Sequence, residues 1–234
     1  MQTKALISTL ILTAAASSQA ALVTLTPAQI NGGDTTTSFF INDDLALIPT
    51  ITDAAGLPQP ATFNANATRL GIDEAGTNNN AFNDADTTIG NAGSEGLTLT
   101  LGASTGLTQI TYDFSRADGP GSNDGVVISG FLADPNVTFS ISDPNLFAVY
   151  DAVTMSVRLN IPGTLFNGTE TAINFDPTTS AGQELSLAVG DTTQANSQFA
   201  IRSISYDNDV VAVPEPSSAL LVALAGLGLI RRRR

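Results

Sequence analysis

Apolar and polar residues alternate with a period of two through much of the chain, and this pattern limits the fold more than any other feature. The alternation is clearest in five runs, at residues 97–101, 110–114, 137–141, 153–161 and 185–189. Threonine and serine fill many of the intervening positions, which suits the solvent-facing side of a pleated sheet. One apolar and one polar face per strand is typical of antiparallel sheets that cover a single core.

Clusters of Gly, Pro, Asn and Asp separate the runs and supply the backbone geometry that turns require. Many short strands with such turns predict an all-β fold, organised as one antiparallel β-sandwich or jelly-roll-like domain over residues 21–209. No stretch of 12 residues in this region follows a convincing helical period. In the run 199–206, the apolar positions change parity between Ile201 and Ile204, which predicts a β-bulge.

The same parity predicts where the aromatic side chains lie. Tyr112 and Tyr206 fall on the apolar side of their runs and are expected in the core, whereas the position of Tyr150 stays open. Phe39 and Phe40 are adjacent, so in a strand they face opposite sides and one of them is expected to be exposed.

Composition excludes several classes of function. The 234 residues contain neither cysteine nor histidine, so disulfides, zinc–thiolate centres, Ser–His–Asp triads and histidine-ligated metals are ruled out. Residues 21–213 carry four arginines, no lysine and 21 carboxylates, a formal charge of −17. Such a domain is not expected to bind nucleic acid, because recognition of a phosphate backbone needs clustered basic residues.

The N-terminal segment has the organisation of a secretory signal peptide. Lys4 precedes a short apolar run, and Ser18-Gln19-Ala20 provides a small-x-small cleavage site. We therefore predict that residues 1–20 form a signal helix that signal peptidase removes between Ala20 and Ala21 during export. The apolar run is too short to span the ~30 Å hydrocarbon core of a bilayer as a permanent anchor.

The C-terminal segment, residues 210–234, has three parts in a fixed order. Pro214-Glu215-Pro216 is followed by an apolar stretch at 217–230 and by Arg231, Arg232, Arg233 and Arg234. As a helix the apolar stretch would reach about 21 Å, so it predicts a short transmembrane helix that inserts transiently in the inner membrane. The arginine cluster would remain on the cytoplasmic side.

These three parts together resemble the PEP-CTERM sorting signal, which is found on exported bacterial proteins that exosortases process. The resemblance implies that Pro214, Glu215 and Pro216 are recognised and processed by an exosortase-type enzyme. It also implies an inner-membrane precursor and a mature protein at the cell surface or in the extracellular matrix. The central regions of such proteins vary widely, so the tail alone does not identify what this domain does.

Acidic loops are candidate metal sites. Asp84 and Asp86 form one group, Asp118 and Asp124 a second, and the segment 207–209 a third. Ca²⁺ binds six to eight oxygen ligands, which Asp, Asn and loop carbonyls can supply. The alternative is that these residues make ordinary Asx turns in solvated loops. Calcium is therefore a candidate cofactor, and no other cofactor is predicted.

The remaining features favour a protein that is not an enzyme. The body has only four glutamates, and the spacing of residues along a sequence does not establish the paired carboxyls that a glycoside hydrolase needs. We predict a surface or matrix protein that is associated with exopolysaccharide or binds carbohydrate. The absence of tryptophan removes the usual sugar-stacking residue. A secreted hydrolase acting on polysaccharide and a self-associating matrix protein are the alternatives.

Overall fold

The structure, a computed structural model, describes residues 21–30, 37–52, 57–65, 68–74, 94–116, 123–144, 146–162, 170–189 and 198–210. Within these ranges it contains one short helix, α1 (Pro27–Ile30), a 3₁₀ turn (Pro177–Thr179) and fifteen strands. The strands are β1 (Leu22–Leu25), β2 (Phe39–Ile41), β3 (Leu45–Thr52), β4 (Pro58–Gln59), β5 (Ala61–Ala65), β6 (Leu70–Glu74), β7 (Ser94–Leu101), β8 (Gly106–Arg116), β9 (Asn123–Ser129), β10 (Thr138–Phe139), β11 (Phe147–Asp151), β12 (Ser156–Pro162), β13 (Glu170–Asn174), β14 (Glu184–Val189) and β15 (Gln198–Asp207).

The strands form two sheets in which every described pair is antiparallel. Sheet 1 has the order β10-β13-β8-β15-β6-β5, and β1 also pairs with β15. Sheet 2 has the order β11-β12-β9-β14-β7-β3-β2, and β4 also pairs with β3. The prediction of an all-β, antiparallel fold is confirmed.

The connectivity is that of a jelly roll. Four strand pairs are nested in the sequence, with β6 beside β15, β7 beside β14, β8 beside β13 and β9 beside β12. The chain changes sheet at each step of this series except between β9 and β12. Additional pairing of β15 with β8, and of β14 with β9, wraps the nested ribbon into two sheets.

Both sheets contribute to one hydrophobic core. Leu99 and Leu187 from sheet 2 and Ile110 and Tyr112 from sheet 1 are fully buried in the same cluster. The Tyr112 and Phe199 rings meet edge to face, with centroids 5.4 Å apart. Thr98, Thr100 and Ser186 lie at the intervening positions and face outward. The alternation in the sequence therefore identifies the inner and outer faces of the sandwich.

Several finer predictions are tested by individual residues. Tyr112 and Tyr206 are buried, and Phe40 is the exposed member of its pair, as predicted. The register of β15 against β8 shifts between Ile201 and Ser203, which confirms the bulge. The alternation over 153–161 predicts a strand that is too long at its N-terminal end, because β12 begins only at Ser156.

The reason for the late start of β12 is a turn. Met155 has a φ of 49°, outside the strand region, and its carbonyl oxygen accepts the N–H groups of Gly130 and Phe131 at 2.9 and 3.1 Å. Val153 lies at the tip of the turn and is 91% exposed. The apolar residues at these two positions therefore do not belong to the alternating strand.

The sandwich has two ends that differ in construction. At the first, named here the loop end, β6, β8, β12 and β14 end while β7, β9, β13 and β15 begin. The segments that join them, 75–93, 117–122, 163–169 and 190–197, lie outside the described residues. At the second, named here the tail end, residues 42–44, 102–105, 180–183 and 208–210 meet.

Candidate functional site

The tail end holds the root of the C-terminal segment. After β15 ends, the N–H of Asp209 donates to Oδ1 of Asp207 at 3.0 Å, which makes a tight Asx turn. The N–H of Val210 then donates to the carbonyl oxygen of Ser104 at 2.7 Å. The Val210 side chain is only 7% exposed. The chain is thus held by hydrogen bonding and burial until four residues before Pro214.

The surrounding turns are also hydrogen-bonded to one another. The Gly102 N–H donates to the carbonyl oxygen of Asp44 at 2.8 Å, and the Gly182 N–H donates to that of Thr105 at 3.2 Å. Gly182 has a φ of +69°, where a side chain would be strained. A Cβ on Gly102 would overlap the carbonyl oxygen of Asp43. These turns, at residues 42–44, 102–105, 180–183 and 208–210, therefore pack closely around the point where the chain leaves the sandwich. We call this group of turns the platform.

The N-terminal segment reaches the same platform. β1 pairs with the end of β15, and Leu22 lies opposite Asp207. The Thr24 and Ser205 hydroxyl oxygens are 2.9 Å apart across this pair. Ala21, one residue of the predicted cleavage site, directly precedes β1, while Ala20 lies outside the described residues. Because neighbouring strands are about 4.8 Å apart, both terminal segments leave the sandwich side by side.

Carboxylates dominate the charge of the tail end. Asp43 is exposed, and Asp44, Asp207 and Asp209 are partly exposed. Burial, and after it the negative charge of Asp44, raises the pKa of the Tyr206 hydroxyl, which lies beneath this surface. The third acidic group of the sequence, 207–209, is therefore an Asx turn at this end, which is the interpretation that did not involve a metal.

Of the predicted calcium ligands, the structure describes only the backbone of Asp124. Asp84, Asp86 and Asp118 lie outside the described residues, and Asp124 is described only as backbone in β9, opposite Ile161. β7 and β9 both begin at the loop end on either side of β14. The first residues of β7 and β9 are therefore about 10 Å apart. Among the described side chains, no group of three or more acidic residues could hold a metal ion.

The outer face of sheet 2 carries a row of hydroxyl side chains that crosses four neighbouring strands. Thr98 lies opposite Ser186, Ser186 opposite Ser129, and Ser129 opposite Ser156. Thr98, Ser129 and Ser186 are at least partly exposed, whereas Ser156 is only 9% exposed. The sequence predicted outward-facing threonines and serines but did not predict this row, because parity assigns a face to a residue and does not identify neighbouring strands. Strand order supplies the missing information.

One edge of sheet 2 carries exposed apolar side chains. Phe147 and Val149 on β11 are 49% and 54% exposed, and Leu132 and Met155 in the adjoining turns are 49% and 45% exposed. The Tyr150 hydroxyl donates to the carbonyl oxygen of Phe131 at 3.0 Å, which connects the strand to the turn. Tyr150, left open by the sequence, is therefore half-buried and hydrogen-bonded.

The predicted sorting residues follow the last described position. Pro214, Glu215 and Pro216, the apolar stretch 217–230 and the cluster Arg231, Arg232, Arg233 and Arg234 all lie outside the described residues. Within the part that the structure describes, no helix has the length and apolar character needed to cross a membrane.

Comparison with known families identifies the C-terminal segment. Residues 212–234 match the family model for the PEP-CTERM protein-sorting motif. This motif directs a chain to export and to sorting toward the cell surface, and an exosortase processes it. The resemblance predicted from the sequence is thereby confirmed for this segment. No curated protein and no solved structure matches the chain.

Proposed function

We propose that this chain, which ends in a PEP-CTERM protein-sorting motif, delivers a non-catalytic β-sandwich that associates with exopolysaccharide at the cell surface or in the extracellular matrix. Signal peptidase would remove residues 1–20, and the apolar stretch 217–230 would insert in the inner membrane. Arg231–Arg234 would hold the C-terminus on the cytoplasmic side. Exosortase would then act at Pro214-Glu215-Pro216 and release the domain or transfer it.

The hydroxyl row on sheet 2 is the observation that supports association with polysaccharide. Thr98, Ser186 and Ser129, the exposed and partly exposed members of the row, follow one another at the strand spacing, so the accessible row spans about 10 Å. Serine and threonine hydroxyls both donate and accept hydrogen bonds, which suits the hydroxyl groups of sugars. Arg158, exposed on the neighbouring row, adds a cationic donor in an otherwise acidic domain. A glycan chain that crosses these strands would meet successive hydroxyl groups.

A matched pair of double variants tests the role of this surface. Thr98→Val with Ser186→Val removes two adjacent hydroxyls from sheet 2. Thr111→Val with Ser203→Val removes the same pair of groups from the outer face of sheet 1. We expect the first variant to bind the extracellular polysaccharide of the producing cell about thirtyfold more weakly, since the two lost hydrogen bonds contribute about 1 kcal/mol each. The second variant should bind as the unchanged protein does.

The binding measurement uses the mature protein that the cell releases, with retention on immobilised polysaccharide as the readout. It is made with and without Ca²⁺, because the acidic groups of the loop end would make retention calcium-dependent if they take part. Equal retention of both double variants would contradict the assignment of the surface. No retention of the unchanged protein would contradict association with polysaccharide altogether.

One pair of glutamates lies at opposite ends of the domain. Glu170 begins β13 at the loop end and lies 3.4 Å from the guanidinium of Arg202. Glu184 begins β14 at the tail end, so these two carboxylates cannot form the close pair that glycoside hydrolysis requires. An assay of the released protein for shortening of the polysaccharide tests the hydrolase alternative directly.

Self-association is a second candidate function, and the exposed edge of sheet 2 favours it. β11 is the last strand of that sheet, and Phe147 and Val149 alternate along it at exposed positions. An exposed edge strand with apolar side chains can pair with another chain. Light scattering at increasing protein concentration, without any glycan, would show assembly. Val149→Lys should abolish that assembly if β11 is the contact.

A further inference from the structure

The distance between the folded domain and the sorting motif is short. Val210 is held by its buried side chain and by the hydrogen bond of its N–H to Ser104. Pro214 follows after three intervening residues. A fully extended chain advances at most ~3.6 Å per residue, so the α-carbon of Pro214 lies within about 14 Å of the α-carbon of Val210. The motif cannot move farther from the tail end while the domain stays folded.

An enzyme that acts on the motif must therefore come close to the tail end. We infer that this end, formed by residues 42–44, 102–105, 180–183 and 208–210, is an interaction surface for the membrane-embedded enzyme that processes the tail. This inference rests on the proposed processing of the tail and adds the part of the domain that the enzyme meets. The apolar stretch begins at Ser217, only three residues after Pro214, which keeps the same end near the membrane.

The platform can move farther from the enzyme only if the chain around Val210 separates from the folded domain. β15 lies between β8 and β6 in sheet 1, and β1 pairs with its last four residues. To lengthen the tether, the chain would have to release Val210 and then separate strands in the middle of the sheet. Docking on the folded platform requires neither change.

The charge of the platform indicates the chemistry of its partner. Asp43, Asp44 and Asp209 belong to it, and Asp207, the last residue of β15, directly precedes its segment 208–210. Lipid headgroups at an anionic bilayer surface would repel these carboxylates. A protein surface that presents basic side chains around the processing site would attract them. The tail end therefore fits the extracytoplasmic face of the processing enzyme better than the bare bilayer.

Site-specific photo-crosslinking in the producing cell tests this surface on the full-length precursor. One variant carries the crosslinker at Ala103 on the platform, and the matched control carries it at Ser186, which is exposed on the face of sheet 2. We expect adducts with the exosortase-type enzyme, identified by mass, at least about fivefold more abundant from Ala103. Equal yields from the two positions, or adducts with lipid alone, would overturn the inference.

A spacer variant makes the test independent of crosslinker chemistry. Eight Gly and Ser residues inserted after Ala212 would extend the reach to about 40 Å. We expect the Ala103 adduct to decrease at least about threefold, because the platform is no longer held beside the enzyme. The same insertion after Asn79, in the segment 75–93 that joins β6 to β7 at the loop end, should leave the adduct unchanged. An undiminished adduct from the spacer variant would contradict the inference.

Charge substitutions complete the design with processing as the readout. Asp43→Asn should slow conversion of precursor to product about threefold in a pulse-chase, while Glu170→Gln at the loop end should not. Unchanged or faster conversion of the Asp43→Asn precursor would contradict a basic partner surface. Normal conversion of a precursor with Ala at 214–216 would instead contradict the proposed sorting function, so the two failures are distinguishable.

Discussion

The two ends of the sandwich differ in the segments that connect the strands. At the tail end, short turns are hydrogen-bonded to one another, and both terminal segments leave from neighbouring strands. At the loop end, the strands are joined by the segment 75–93 and by three shorter ones. The comparison indicates that the end connected with targeting is constrained by packing.

The largest expected effect concerns the segment that follows the tail end. Replacing Pro214, Glu215 and Pro216 by Ala should leave the precursor in the inner membrane, because the processing enzyme no longer recognises it. Cell fractionation after a pulse of synthesis measures this retention, and Pro60→Ala, at an exposed proline of the domain, is the control. Normal release of the triple variant would contradict the role of these three residues in sorting.

The effect of calcium on stability is expected to depend on the loop end and not on the tail end. If Asp84, Asp86, Asp118 and Asp124 bind Ca²⁺, then EDTA should lower the melting temperature of the mature protein by several degrees. A free ion at 100 times its Kd stabilises the folded state by about 2.7 kcal/mol. Scanning calorimetry with and without EDTA measures the shift.

Variants assign the calcium effect to one end. Asp118→Asn should reduce the difference that EDTA makes, whereas Asp43→Asn at the tail end should preserve it. An identical melt in EDTA and in Ca²⁺ would leave the Asx-turn interpretation of the acidic groups in its place.

A glycine at the tail end tests the rigidity of the platform. Gly182→Ala should destabilise the folded state by about 1–2 kcal/mol, because its φ of +69° is unfavourable for a residue with a Cβ. Val153→Ala, in an exposed turn, should change the free energy of unfolding by less than about 0.5 kcal/mol. Urea denaturation compares the two. A Gly182→Ala protein as stable as the parent would mean that the platform tolerates backbone adjustment.

Two buried tyrosines are expected to make the free energy of unfolding decrease at alkaline pH. Burial raises the pKa of Tyr112, and burial with the negative charge of Asp44 raises that of Tyr206 at the tail end. Their contribution to stability is complete below about pH 10, the pKa of tyrosine in the unfolded chain, and is lost as the pH rises above it. The loss is at most about 1.4 kcal/mol per pH unit for each group.

Substitutions separate the two tyrosines. Unfolding of Tyr112→Phe and Tyr206→Phe should each depend less on pH above pH 10 than unfolding of the parent. Asp44→Asn should weaken the dependence only through Tyr206, so it should have no effect in a Tyr206→Phe background. A pH dependence that is the same in the parent and in both Phe variants would contradict the assignment.

Much of the fold could be predicted because alternation reports burial. Leu97, Leu99 and Leu101 point inward and the intervening threonines outward, as their parity requires. The prediction failed at Val153 and Met155, where apolar residues keep the period but the backbone turns. The N–H groups of Gly130 and Phe131, which follow β9, donate to the Met155 carbonyl oxygen and stabilise the turn. Contacts between segments so far apart in the sequence cannot be predicted from a local pattern.

The candidate surfaces were less predictable than the fold. The hydroxyl row exists only because β7, β14, β9 and β12 are neighbours, and their order follows from pairing between residues that are far apart in sequence. The sorting tail was predictable for the opposite reason. The motif consists of consecutive residues, from Pro214 to Arg234, so it can be identified without knowledge of the tertiary structure.

The nested ribbon also determines when the domain can fold. The strand that enters the middle of sheet 1, β15, is the last strand of the chain, and its partners β1, β6 and β8 are all synthesised earlier. Pairing between such distant segments makes folding slow, because each pair closes a long loop. A chain that crosses the membrane from its N-terminus therefore stays incomplete until residues 198–210 have emerged. If the tail is arrested in the membrane as proposed, folding would finish only when the sorting segment reaches the membrane, and the arrest would leave time for the slowest step of folding before release.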